Sequence, residues 1–95
     1  MKFELGRLVT TKNVADQMSS NKEFAEFVNV SLKRYLNCDW GEMDTDDKAM
    51  NDEAVNSGDL TIHGSYSNEC HSDWKIWIIT EWDRSVTTIL FPSEY

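Results

Sequence analysis

Apolar positions along this chain follow two periods, and the switch between them divides the sequence into a helical part and a β-rich part. Near the start, Phe3, Leu5 and Val9, with Leu8 beside them, predict a first strand interrupted at Gly6. The polar run Thr10-Thr11-Lys12-Asn13 leads into a short helical turn bearing Val14, Ala15 and Met18. Phe24, Phe27, Val28, Leu32, Tyr35 and Leu36 then recur three or four residues apart, which predicts a helix over about residues 21–36. Ser20 with Glu23 reads as its capping box, Lys33 and Arg34 offset the carbonyl end of its dipole, and Asn37 is a suitable stop.

A loop with Trp40 and Gly41 precedes a third predicted helix, capped near Asp44 or Thr45 and ended by Ser57-Gly58. Its apolar content is thin: Met50, Ala54 and Val55 are the residues expected to touch a core. From Leu60 the period becomes two. Leu60, Ile62 and Tyr66 alternate with Thr61, His63 and Ser65, the polar turn Ser67 to Asp73 follows, and Trp74 to Glu81 and Val86 to Phe91 are β-rich runs joined through Asp83-Arg84. The C-terminal third therefore reads as an antiparallel meander.

A hairpin turning on Asp83-Arg84 pairs Ile78 with Ile89 and Ile76 with Phe91 on one face. It sets Trp77 and Ile79 with Leu90 and Thr88 on the other. Both faces are then apolar, and the second needs covering by the N-terminal segment, a symmetry mate or a partner. The expected fold is α+β, one compact domain over residues 1–95: three helices from the N-terminal half packed on the meander, with an N-terminal edge strand. At 95 residues and 40% hydrophobic content the chain can bury one core. It has no run near the roughly 18 apolar residues of a membrane span, so a soluble, cytoplasmic protein with Cys38 and Cys70 reduced is expected.

Charge changes this picture most. The net charge is −8, and residues 39–59 hold Asp39, Glu42, Asp44, Asp46, Asp47, Asp52, Glu53 and Asp59 against the single Lys48. Such a balance disfavours direct nucleic-acid binding and points to a cationic partner surface, a metal, or a protein that itself handles nucleic acid. Acids in a first helical turn are stabilised by its positive end, which explains Asp44, Asp46 and Asp47 and leaves five. A helix of about 12 residues is about 18 Å long, against roughly ten phosphates for duplex DNA of that length, so the patch suits mimicry of a short stretch only.

Other chemistry finds little footing. Cys38, His63, Cys70 and His71 lack the paired spacing of a zinc site, and a calcium loop begun at Asp44 would place Ala49 where glycine and Val55 where glutamate belong. No phosphate-cradling glycine loop or nucleophile motif occurs, so neither enzyme activity, a cofactor nor a metal is expected.

Asp39-Trp40-Gly41-Glu42, Asp46-Asp47-Lys48, Asn51-Asp52-Glu53-Ala54, Ile76-Trp77-Ile78-Ile79-Thr80-Glu81, Asp83-Arg84-Ser85, Thr87-Thr88-Ile89-Leu90 and the terminal Pro92-Ser93-Glu94-Tyr95 resemble a family of small acidic bacterial proteins labelled "plasmid-related protein". The resemblance covers about residues 38–95. Cys38 stands where glycine is expected, Trp82 where a small residue is usual, and the turn around Ser67 to Asp73 is longer. The resemblance implies a home on mobile elements, which benefit from inhibitors of host defence such as anti-CRISPR and anti-restriction proteins. With the patch, it gives the leading expectation of a non-enzymatic inhibitor binding the basic groove of a CRISPR effector or restriction enzyme. Asp39, Glu42, Asp46, Asp52, Glu53 and Asp59 would be the anionic contacts, with Trp40 either an aromatic anchor beside them or, equally, a residue packed into the core or its loop. The competing expectation is a homodimeric plasmid-maintenance or antitoxin-like module that associates through Trp77, Ile79 and Leu90.

Overall fold

The change of period becomes a change of architecture. In the computed structural model, which describes residues 2–95, the chain runs β1 (Arg7–Thr10), α1 (Lys12–Ser20), α2 (Lys22–Leu36), α3 (Thr45–Ser57), β2 (Ile62–Ser67), β3 (Lys75–Thr80), β4 (Val86–Leu90) and a closing 3-10 turn (Pro92–Glu94). The fold is α+β, with all three helices ahead of the meander. The four strands form one sheet in the order β1-β4-β3-β2. Ile78 lies opposite Ile89, Ile79 opposite Thr88 and Trp77 opposite Leu90, which is the expected hairpin register. Strand β1 takes the expected edge but runs parallel to β4, so the sheet is mixed. A long connection through the helices lets β1 run in that direction, whereas the tight turns of the meander admit only antiparallel neighbours.

The helix boundaries follow from where backbone N–H groups find acceptors. Helix α1 is nine residues long rather than a turn, and Thr11 caps it by accepting from the Val14 N–H at 3.3 Å. Because α1 continues through Ser20, the expected capping box there does not form. Asn21 serves both helices instead: its side chain accepts from the Phe24 N–H at 3.1 Å while its own N–H donates to the Gln17 carbonyl at 2.9 Å. Helix α3 is capped by Asp44, which accepts from the Asp47 N–H at 2.8 Å, and ends at Gly58 in the left-handed conformation with φ 78°.

Helices α1 and α2 cover one face of the sheet. Val14, Phe24, Phe27, Val28 and Tyr35 meet Ile62, Ile76, Ile78 and Ile89, and the cluster also takes in Phe3, Trp40, Tyr66 and Trp74. Its aromatic rings pack edge to face, as in Phe24–Trp74 at 5.2 Å and Tyr35–Trp40 at 5.5 Å between centroids. A line of hydroxyls threads this core: Tyr35 to Thr80 at 2.7 Å, Thr80 to Thr87 at 2.7 Å, and Thr87 donating to the Leu5 carbonyl at 2.7 Å. Since Thr87 gives its proton to a carbonyl, it accepts from Thr80, and the single Tyr35 proton is shared between the Thr80 hydroxyl and the Ile62 carbonyl, 2.7 and 3.2 Å away. Burial pushes the Tyr35 phenol well above its ordinary pKa, so it stays a donor.

The free edge of β2 is closed by side chain and loop. Asn51 of α3, only 4% exposed, donates its amide N–H to the His63 carbonyl at 2.7 Å and accepts from the His63 N–H at 3.1 Å. Two residues further along, the Ser65 N–H donates to the Trp40 carbonyl at 3.1 Å and its carbonyl accepts from the Glu42 N–H at 2.7 Å. Gly41 sits between these contacts at φ 73°, and a Cβ there would lie 2.0 Å from the Ser65 oxygen. These bonds hold the 40–42 loop and α3 beside the sheet.

Candidate functional site: an acidic helix beside an open sheet face

The structure sorts the eight acids of residues 39–59 into different situations. Asp39 is paired with Arg34 through two bonds, 2.7 and 3.2 Å, and also accepts from the Gly41 N–H at 3.1 Å. The Arg34 guanidinium, aided by that N–H, holds the Asp39 carboxyl below its ordinary pKa, and the carboxylate correspondingly raises that of Arg34. Asp52 accepts from the Trp40 indole N–H at 3.0 Å. Asp44 caps α3 by accepting from the Asp47 backbone N–H, and the Asp47 side chain is half-buried in the first turn of that helix. Asp46 and Glu53, seven residues apart on one stripe, are exposed, as are Glu42 and Asp59. Among the described residues, Asp39 is the only one of the eight in an ion pair; the other pairs are Lys12–Asp16 and His71–Glu23.

Trp40 is not an exposed anchor. It is 3% exposed and packs between Phe3 and Tyr35, because the loop that carries it bends over the β2 edge and turns the ring inward. The expected inward role of Met50 also fails: it is 62% exposed. The inward stripe of α3 passes through Asn51, Ala54 and Val55, three and four residues apart, leaving Met50 to one side.

The second face of the sheet carries the rows expected from the register: Ser65, Trp77 and Leu90 in one, and His63, Ile79, Thr88 and Val9 in the next. Its covering differs from expectation. The N-terminal segment sends Phe3 into the helix-side core and extends the sheet edge, while the closing turn sets Tyr95 against Trp77 with ring centroids 5.6 Å apart. Leu90 is only 6% exposed, which removes it as an interface residue, whereas Trp77 and Ile79 are half-buried. On the β2 side, α3 stands beside this face.

Between α3 and that face lies a cleft of about 390 Å³ lined by Glu42, Met43, Asp47, Met50, Asn51, Thr61, His63, Ser65, Lys75 and Trp77. The acidic segment and the apolar face, separate in sequence, share this cleft. The His63 ring meets Trp77 edge to face at 4.6 Å. Its Nε2 is buried with no hydrogen-bond partner among the described residues. Burial lowers the His63 pKa, and the nearby Asp47 charge opposes that shift. His63 escaped the sequence reading except as a metal candidate, because the long-range contact that buries it leaves no local signal.

Among the described residues no three His, Cys, Asp or Glu side chains gather as metal ligands, and no helix is long and apolar enough to cross a membrane. Comparison with family models, with curated proteins and with solved structures gave no match to this chain.

Proposed function

We propose that this chain is a small, non-enzymatic, cytoplasmic inhibitor of a nucleic-acid-handling defence protein, a CRISPR effector or a restriction enzyme. It would occupy with carboxylates the basic groove that the target keeps for nucleic acid. One observation carries the reading: Glu42, Asp44, Asp46, Asp47, Glu53 and Asp59 lie close in sequence along one loop and helix with no ion-pair partner among the described residues. Carboxylates left unpaired in this way project a field that speeds encounter with a cationic surface and repels phosphate. The resemblance to plasmid-related proteins fits, since mobile elements gain from blocking host defence.

The test is a triple reversal, Asp46→Lys, Glu53→Lys and Asp59→Lys, assayed for inhibition and capture of CRISPR and restriction proteins. Asp39 and Asp52 are left intact, because Arg34 and Trp40 depend on them. Inhibition should be abolished with the circular dichroism spectrum unchanged, and wild-type binding should weaken steeply as salt rises. Full inhibition by the folded triple variant would overturn the reading.

A second reading draws on the half-buried Trp77 and Ile79: self-association of a plasmid-maintenance or antitoxin-like module through the open face. Size-exclusion chromatography over a wide concentration range decides it, with a monomer throughout removing this reading.

A further inference from the structure

The cleft beside α3 has a chemical character that the acidic surface as a whole lacks. It combines two carboxylates, Glu42 and Asp47, with the Trp77 ring, the thioethers Met43 and Met50, and the unpartnered His63. Lys75 is the one cation in its lining. We infer that this cleft receives the guanidinium of a single arginine side chain from a partner protein. The inference rests on the inhibitor reading above and adds to its exposed carboxylates one arginine-binding contact within the acidic surface.

The argument is one of matching each lining group. A guanidinium is planar, carries five N–H donors in a fixed fork, and is weakly hydrated for a cation. It can bond Asp47 and Glu42 by its N–H groups, lie against the Trp77 ring, and offer an N–H to the imidazole lone pair. Of the charged groups in the lining, Asp47 from α3 is the one whose charge acts on His63, whereas Lys75 lies four residues along β3 from Ile79, the strand partner of His63. The lowered pKa keeps the ring neutral near pH 7, hence an acceptor at one nitrogen.

Other ligands match fewer of these groups. An ammonium would use the carboxylates but not the aromatic wall as well, a phosphate would meet two carboxylates, and an apolar group would leave His63 and both acids unpaired. The His63 Nε2 has no exposed surface, so its bond to the guanidinium requires the lining to move; Met50, unbranched and 62% exposed, is a lining side chain free to do so. At about 390 Å³ the space holds a planar head and its methylene stem.

The experiment titrates the isotopically labelled full chain with N-acetyl-arginine amide, N-acetyl-lysine amide and N-acetyl-citrulline amide, followed by NMR at low salt. The arginine probe should shift the His63 ring, Met50 methyl and Trp77 indole signals to saturation. Lysine should bind about five- to tenfold more weakly, and neutral citrulline should produce no saturable shift. Asp47→Asn should weaken the arginine probe by a similar factor, and Trp77→Phe, which keeps a ring against His63 and Tyr95, should weaken it less. Equal binding of arginine and lysine, or shifts confined to Asp46, Glu53 and Asp59 outside the cleft, would overturn the inference. The two proposals fail separately, because the titration involves no defence protein. Loss of inhibition in the triple reversal with no arginine shifts in the cleft removes the cleft alone; arginine binding in the cleft with inhibition intact in the triple reversal removes the assignment of inhibition to the exposed acids alone.

Discussion

Ile78 and Ile79 are chemically identical neighbours on β3, yet Ile78 is fully buried beneath α2 while Ile79 looks out of the opposite face and is only half-buried. The difference extends across the whole sheet. On the helix-covered side, isoleucines, aromatic rings and a hydroxyl line close the core, and among the described residues every buried side-chain polar atom there has a partner. On the open side, a tryptophan, an isoleucine and an unpartnered imidazole lie beside a helix bearing unpaired carboxylates. Stability is thus concentrated on one face, and unsatisfied chemistry on the other. Residues free of structural work are where binding can be built.

The largest effect that can break this comparison is a pair of truncations. Ile78→Ala should destabilise by about 2–5 kcal/mol and Ile79→Ala by less than about 1.5 kcal/mol, read as midpoints of urea unfolding. Equal losses would mean that both faces are load-sharing cores. Next comes the edge that joins the faces. Asn51→Ala leaves the His63 N–H and carbonyl without their partners and should cost about 2 kcal/mol, with faster hydrogen exchange at the His63 amide than at the amides of β3.

A smaller effect tests the hydroxyl line. Tyr35→Phe removes the proton shared by the Thr80 hydroxyl and the Ile62 carbonyl and should cost about 1 kcal/mol without disturbing the open face, so the Trp77 indole resonance should not move. The smallest is pH dependence from His63. Its folded pKa lies below the unfolded value of about 6.5, so as pH falls through that value the unfolded chain takes up a proton that the folded chain resists. Stability should therefore fall modestly from pH 7 towards pH 5, levelling off below the folded pKa, and His63→Phe should flatten that part of the profile.

Much of the covered face was legible in the sequence. The 3.6 period of α2, the cap at Asp44, the stop at Gly58 and the hairpin register are local signals, and a one-residue slip would have exchanged the two faces of β3 and β4. The direction of β1 was not legible, because no local residue encodes which strand a long connection will reach. Trp40 reads from its sequence as either an anchor or a packed ring, because its sequence neighbours are charged; its spatial neighbours, Phe3 and Tyr35, decide for the packed ring. Asn51 looked like one more solvated residue on a polar helix. Its spacing of three and four from Ala54 and Val55 marks the inward stripe, and an amide on that stripe is the signal that an edge needed pairing. The cleft was invisible, since it exists only once residues 42–51 are laid against residues 61–77. Cys38 adopts φ 62°, a left-handed conformation that glycine takes without strain and that no neighbouring residue announces.

The bonds that Asn51 and the 40–42 loop make to β2 also set a limit on assembly. A sheet with two open edges can add copies of itself without end, which is how strand pairing leads to fibres. Here one edge is already occupied by the chain's own helix and loop, leaving only β1, four residues long, to meet another strand. Two copies joined β1 to β1 about a two-fold axis would use up both remaining edges. Association by strand addition would therefore terminate at a pair.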